Sequence, residues 1–276
     1  MSQPCGPSSD AHPRLFVLTG AGVSTDSGIP DYRDGEGAWK RPQPVTYQAF
    51  TGSDATRRRY WARSLVGWRG FGLARPNDAH QALAALERAG RVELLLTQNV
   101  DRLHQAAGSE RVIDLHGRLD LVRCLDCERR YAREEFQRVL LDANPAWAAL
   151  DAQMAPDGDA DLEHDDFASF VVPPCPACGG MLKPDVVFFG ESVPRERVDA
   201  AFAALREADA MLIVGSSLMV WSGFRFANAA AQAGKPMAAV NLGRTRADDL
   251  LSLKCALPVA EALSFLLESQ PPRVAA

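Results

Sequence analysis

The sequence predicts an α/β protein built on a doubly wound parallel sheet, with a small metal-binding insertion and a helical module set into it. Three observations carry that expectation. Five short apolar runs are spaced along the chain: Leu15–Thr19, Val92–Leu96, Val112–Leu115, Met211–Val214 and Met237–Val240. Helical patterns lie between them, at Ala79–Ala89, Arg197–Ala208, Gly223–Ala233 and Ala260–Ser269. Two Cys-x-x-Cys pairs, Cys124/Cys127 and Cys175/Cys178, occupy a segment that interrupts this rhythm.

The runs do not alternate strictly with polar residues, as expected of strands covered on both faces. Their alternation with helices is the pattern of a doubly wound sheet. The first run ends in Gly20-Ala21-Gly22-Val23-Ser24. Two glycines there permit a tight turn and a close backbone approach to a pyrophosphate, and a helix is expected to follow and offer its N-terminal amides. The third glycine of the usual dinucleotide fingerprint is missing, which counts against an ordinary dehydrogenase. Ser27 to Asp34 is polar, turn-rich and long enough to fold over a nucleotide. Residues 41–76 carry aromatic and basic residues at helical spacing and form the expected helical module outside the sheet.

Residues 119–183 read as the metal-stapled insertion. A Cys-x-x-Cys turn presents two thiolates to one ion, and a second pair completes a closed tetrahedral zinc shell. Two disulfides, or four idle thiols, are the alternative; short pairs of this kind bridge poorly. Such a closed site stabilises structure and performs no chemistry, so the reactive groups lie elsewhere. Cys5 and Cys255 have no partner spacing. Between the pairs, residues 157–166 hold six acids and no Lys or Arg. This stretch reads as a solvated, mobile loop. A calcium loop on Asp157, Asp159 and Asp161 is the alternative, with the glycine and closing glutamate of that pattern misplaced.

A chain of 276 residues, 47% hydrophobic, can bury one large core, or one large and one small. No apolar stretch approaches the ~20 residues of a membrane span. Residues 1–14 carry no apolar or basic amphipathic targeting pattern, and together with the thiolate usage this points to a reducing, cytoplasmic setting. The net charge is −5, and outside the acidic stretch the chain is close to neutral. No basic footprint for nucleic acid is present, so neither nucleic acid nor membrane is expected as a partner.

Polar clusters follow the strands. Thr97-Gln98-Asn99-Val100-Asp101, His116-Gly117, Gly215-Ser216-Ser217 and Asn241-Leu242-Gly243 join the first glycine turn at five predicted strand ends. In an open α/β sheet these ends border one ligand crevice. Singly, His116 could be structural, and Asn99 and Asp101 could cap a helix near Arg102. Of the five histidines, His12 lies in the tail, His164 in the acidic stretch, and His80 and His104 in helical patterns. That leaves His116 as the candidate catalytic histidine.

Taken together, these blocks resemble the sirtuin family. The resemblance rests on Gly20–Ser24 with Ser27–Arg33, Thr97–Asp101, His116-Gly117, both cysteine pairs, Lys183–Glu191 and Gly215–Leu218, in the family order over nearly the whole chain. It implies a Rossmann-like domain (1–40, 77–118 and 184–276), a helical module (41–76) and a zinc-binding small domain (119–183). The implied activity is NAD-dependent removal of acyl groups from protein lysines, giving nicotinamide, free lysine and O-acyl-ADP-ribose. By position, Gly20, Ala21, Gly22, Ser24, Ile29, Asp31, Tyr32, Arg33, Gln98, Asn99 and Asp101 would contact NAD. Gly215, Ser216, Ser217, Asn241, Leu242, Gly243 and the backbone near Cys255 would hold its phosphates and adenosine. Asn99, Asp101 and the base His116 would be catalytic. Val187, Phe188, Phe189, Gly190 and Glu191 would meet the acyl-lysine peptide, pairing as an added strand.

Two departures mark the chain. Tyr32 stands where Phe is usual, and Asn241–Gly243 lacks the acid that many members place on a ribose hydroxyl. The latter, with Arg59–Arg63 and Val66–Trp68, is similar to the class II branch. Tyr60 and Arg63 have the Tyr-x-x-Arg spacing of a clamp for acidic acyl chains; a solvated face on a basic helix is the plainer reading. The other functional readings are mono-ADP-ribosyl transfer, preference for long or acidic acyl groups, a non-catalytic NAD sensor and, weakest, a hydride-transfer dehydrogenase.

Overall fold

In the computed structural model, the described residues are 13–40, 43–147, 149–150, 152, 158–162 and 167–268. Six parallel strands form the main sheet: β1 (Leu15–Thr19), β2 (Val92–Thr97), β3 (Val112–Asp114), β7 (Ala210–Val214), β8 (Met237–Val240) and β9 (Leu253–Cys255), in the order β3-β2-β1-β7-β8-β9. The first five fall on the expected apolar runs. The sixth, β9, was not foreseen: Leu253 and Lys254 are exposed at the sheet edge, so burial left no apolar signature there.

Period-2 geometry divides each inner strand between two cores. Phe16 and Leu18 of β1 pack with Leu94, Leu96 and Ile213 under Leu205 of helix α6 (Arg195–Glu207) and Phe226 of helix α7 (Trp221–Gln232). Val17 points the other way, with Leu95 and Val214, under Leu83 of helix α3 (Asp78–Arg88) and Leu263 of helix α8 (Val259–Leu263). Both faces are therefore apolar, which is why the strand sequences do not alternate. Asn77 caps α3 by accepting from Ala79 N and His80 N, in a reciprocal box with the His80 ring.

A second core lies beside the sheet. Helices α1 (Tyr47–Gly52) and α2 (Asp54–Phe71) pack on a three-stranded antiparallel sheet, β5 (Arg130–Ala132), β4 (Gly117–Cys124) and β6 (Leu182–Val186), with helix α5 (Arg133–Ala143) against it. Phe50, Trp61 and Leu65 meet Val122, Phe136, Leu140 and Leu182 there. Buried Arg133 donates to Gln137 Oε1 at 2.7 Å and Ser64 O at 3.2 Å, and lies over the Trp68 ring. Two short helices, α4 (Leu103–Ala106) and α9 (Phe265–Glu268), complete the α-helices among the described residues.

Two expectations are corrected. No α-helix follows the glycine turn; two single 3-10 turns do, Ala21–Val23 and Thr25–Ser27. Gly28 sits at φ +83° and Pro30 follows, so the segment ends before an α-helical ladder can form. The described part of the acidic stretch is not a solvated loop either. Asp159, Ala160 and Leu162 are buried, and Asp159 and Asp161 reach Arg63 of α2 at 2.9 and 3.7 Å. A partly buried guanidinium needs carboxylate partners, and the acidic residues supply them. Asp157 and residues 163–166, with His164, lie outside the described residues, as do His12 and Cys5.

Candidate active site

A cleft of about 720 Å³ opens at the C-terminal ends of β1, β2, β7 and β8, beside the β3–β4 turn, and its lining brings together the predicted clusters. Every predicted cofactor, catalytic and peptide residue borders it except Cys255. The Cys255 carbonyl instead accepts from Asn241 N at 3.1 Å, within the β8–β9 edge. The glycines of the first turn have a use that the sequence did not reveal. A Cβ on Gly20 would lie 2.8 Å from Ser216 Cβ, and one on Gly22 would lie 2.9 Å from Gly215 O. The turns after β1 and β7 interlock, tied by Gly22 N to Gly215 O at 2.9 Å.

Ser24, fully buried, joins two of the predicted catalytic side chains. Its hydroxyl donates to Asp101 Oδ2 at 2.6 Å and accepts from Asn99 Nδ2 at 3.0 Å. Ser24 also borders the cleft, where the cofactor contact was expected. Asn99 Nδ2 also donates to Gly20 O, and Thr97 Oγ1 accepts from Asn99 N. Asp101 Oδ1 accepts from Leu103 N at 2.9 Å, at the start of α4, while its other oxygen meets Ser24. Burial pushes the Asp101 carboxyl above the ordinary aspartate range, and the Ser24 and Leu103 hydrogen bonds pull it back.

The His116 ring is held at both nitrogens. Nδ1 lies 3.0 Å from Gln98 O, and Nε2 lies 2.7 Å from Ser222 Oγ. A carbonyl only accepts, so Nδ1 carries the hydrogen and Nε2 the lone pair. Burial pushes the imidazole down to about 4, against the pull of the Gln98 carbonyl; Arg225 and Arg197 lower it further. At neutral pH the ring is therefore an uncharged base. Ser222 had no motif to announce it; it is simply the second residue of α7.

The segment expected to meet peptide, residues 187–191, is anchored to His116 and to the helical module. Val187 N donates to His116 O at 2.7 Å, and Tyr47 N donates to Phe189 O at 2.8 Å. Glu191 accepts from Phe188 N and from buried Lys183, which also donates to Val186 O. Over the mouth, Lys40 pairs with Asp31 at 2.5 Å, and Arg33 lies 3.9 Å above the Trp39 ring. Tyr32 and Phe189 both make edge contacts with Trp39. Tyr60 borders the cleft, but Arg63, one turn along α2, does not. Neither Arg63 expectation holds: its side chain is 18% exposed and engaged by Asp159 rather than solvated or aimed at a ligand.

Behind the cleft lies a pair of histidines. The rings of His80 and His104 stand 4.8 Å apart, with His104 Nε2 2.9 Å from Thr19 Oγ1 and His80 Nε2 3.5 Å from Ser24 Oγ. Both are fully buried, and burial depresses both pKa values, His80 to about 4.

The four paired cysteines gather at the edge of the small sheet, all Sγ atoms within 4.8 Å of one another. Cys124–Cys178 and Cys127–Cys175 are 3.5 and 3.8 Å apart. Zinc–sulfur bonds of about 2.3 Å place tetrahedral sulfurs about 3.8 Å apart, so the set fits zinc. The two pairs repeat one turn: Glu128 N bonds Cys124 O and Gly179 N bonds Cys175 O, with Glu128 at φ +61° and Gly179 at φ +76°.

Comparison with known proteins agrees with this geometry. The model of the Sir2 family matches residues 20–222. The chain is 71% identical over 263 residues to an NAD-dependent protein deacetylase of Xanthomonas campestris pv. campestris strain 8004, covering 95% of this chain and 89% of that one. It is 70% identical over 256 residues to NAD-dependent protein deacetylase 2 of Bradyrhizobium diazoefficiens, covering 93% and 94%. Among solved structures it is similar to Sir2 with a p53 peptide and NAD+ (TM-score 0.70, 32% identity, 93% of each chain). Sir2 bound to an acetylated peptide is similar too (TM-score 0.71, 32% identity, 93% of each).

Proposed function

The chain belongs to the Sir2 family and is an NAD-dependent protein deacetylase with a fitting structural zinc site, and from that premise we propose how its cleft carries out the reaction. NAD supplies a cleavable nicotinamide–ribose bond and an ADP-ribose acceptor for the acyl group. The glycine turns at Gly20–Gly22 and Gly215–Ser217, with Asn241–Gly243, hold its phosphates and adenosine. Asn99 and Asp101, fixed by Ser24, and Gln98 hold the nicotinamide amide, with Ile29, Asp31, Tyr32 and Arg33 closing over it. Confinement in this cleft, away from bulk water, does most of the work of the first step.

His116 Nε2 accepts a proton from a ribose hydroxyl during acyl transfer. The observation that supports this most directly is the ring's tautomer: Gln98 O fixes the hydrogen on Nδ1, leaving a basic lone pair at the cleft. Val187–Phe189 offers backbone to an acyl-lysine peptide, beside the base to which Val187 N is bonded. With Arg63 taken up by Asp159, a neutral acetyl group suits the cleft better than an acidic chain. The same reading includes the class II branch, supported by Asn241–Gly243, and a reducing, cytoplasmic location, supported by the thiolate cluster. Among the described residues no helix is long and apolar enough to cross a membrane.

Mass spectrometry of the nucleotide products tests the scheme, using NAD with acetyl-, glutaryl- and lipoyl-lysine peptides. O-acetyl-ADP-ribose from the acetyl peptide is expected; labelled protein instead would indicate ADP-ribosyl transfer. His116→Ala should lower deacetylation by about a hundredfold or more while NAD and peptide still bind. A fully active His116→Ala enzyme would remove His116 from the base role.

A further inference from the structure

The nitrogen of His116 that receives the proton is already in contact with a side chain that the proposed reaction does not use. Ser222 Oγ lies 2.7 Å from Nε2, and both residues line the cleft. The contact is built in from two sides. Ser222 is the second residue of α7, and its position is fixed by the helix start after Val220. Gly223 lets that turn lie against Gln98, because a Cβ there would overlap the Gln98 side chain. Gln98 in turn supplies the carbonyl that holds Nδ1. One residue pair, Gln98 and Ser222, therefore grips both nitrogens of the ring.

We propose that the Ser222 hydroxyl is a positioning residue for His116, a rotor that donates to the neutral imidazole and accepts from the imidazolium. This role rests on His116 being the base. In the resting cleft, Nδ1–H is engaged by Gln98, so only the Ser222 O–H can be the donor across the 2.7 Å contact. When the substrate hydroxyl replaces it, the Ser222 O–H turns away and its oxygen lone pairs face Nε2. The ribose proton moves to Nε2, the ribose oxygen bonds to the acyl carbon as the carbon–nitrogen π pair of the activated lysine amide shifts to nitrogen, and the new Nε2–H is accepted by Ser222 Oγ. Ser222 gains and loses no proton.

The surroundings make such a partner necessary. Burial disfavours the imidazolium, and the two cations that act on the ring, Arg225 on α7 and Arg197 on α6, disfavour it too. The carboxylates of the same cleft that are nearest in role are engaged elsewhere: Asp101 with Ser24, and Glu191 with Lys183 and Phe188 N. A hydroxyl dipole that reverses on protonation stabilises the charged ring without adding a charge that would hold it permanently protonated.

The test uses the full-length zinc-containing enzyme with NAD and an acetyl-lysine peptide. Ser222→Ala should lower the kcat of deacetylation by about tenfold, the loss expected for a hydrogen bond to a group that becomes charged. Its acid limb should move to lower pH, since the imidazolium loses its acceptor. Nicotinamide exchange, which precedes the base step, should change less than about twofold, because a neutral Nε2 loses only a modest hydrogen bond. Ser222→Thr, which keeps the hydroxyl, should restore rate and profile. A Ser222→Ala enzyme with unchanged kcat and pH profile, beside an inactive His116→Ala enzyme, would overturn the Ser222 role and leave His116 standing. A parallel fall in exchange and deacetylation, not relieved by Thr, would overturn it in favour of plain packing. An active His116→Ala enzyme would instead remove the reading beneath it.

Discussion

Single residues in this cleft carry constraints that their sequence neighbourhood conceals. Gly215 has φ +57°, and a Cβ there would lie 2.5 Å from Val23 N and 2.7 Å from Gly22 C. Both the left-handed backbone and the contact exclude a side chain, so Gly215→Ala must separate the turns after β1 and β7. The expected cost is about 2 kcal/mol of stability or more. Thermal melting should show the loss, and the KM for NAD should rise more than the KM for peptide. An unchanged melting temperature would mean that the turns do not interlock as described. The motif reading found Gly215 through its place after an apolar run, but assigned its glycine partners to a tight turn and phosphate approach. Contact with a turn nearly two hundred residues away is not a local property, so no spacing rule could supply it.

At the scale of elements, the zinc knuckles and the acidic segment stabilise the same small core by different means. The knuckles are two copies of one turn that only a shared ion can bring together, because four thiolates at such distances repel. Cys175→Ser should therefore release metal and lower the melting temperature and activity together. A metal-free protein of undiminished stability would contradict that coupling. The acidic segment acts through Arg63, whose guanidinium is largely covered together with Asp159. Removing one partner strands the other, so Asp159→Ala should cost about 2 kcal/mol in a denaturant titration. The preference for acetyl over glutaryl peptide should survive the change in Arg63→Ala, because Arg63 does not border the cleft. A collapse of that preference would restore the clamp. Composition made the segment look solvated, since charge runs without local partners usually are. Its partner lay on a helix far away in the chain.

For the molecule as a whole, the most general consequence is its response to acid. His80 and His104 are buried and His116 is partly buried, and all three have folded-state pKa values below the ordinary imidazole value, loss of water contact being the main cause for each. The unfolded chain takes up protons at these rings near pH 6.5, whereas the folded chain does not. Stability from the neutral rings is thus complete above about pH 6.5 and is lost as pH falls from there toward about 4, where His80 and His116 would titrate in the fold. Each ring contributes a slope of roughly 1.4 kcal/mol per pH unit in that window. Urea unfolding at pH 7.5, 6 and 5 should show the midpoint falling steadily; a flat midpoint would mean that the rings are wet. Activity should hold through most of that window and weaken only toward its lower end, near pH 4, as His116 protonates in the cleft.

Strand identity, the zinc ligands and the residues bordering the cleft could be read along the chain, because each depends on local pattern: apolar runs, paired thiols, and polar turns where strands stop. Parallel order in the sheet then requires those turns to share one edge. What only the folded chain decided were relations between distant segments: the Ser24 link between Asn99 and Asp101, the Arg63–Asp159 pair, the edge strand β9, and Ser222 against His116. Each of these depends on contact across the tertiary fold, where a hydroxyl or a carboxylate takes its role from the group it meets, and sequence separation carries no record of that meeting.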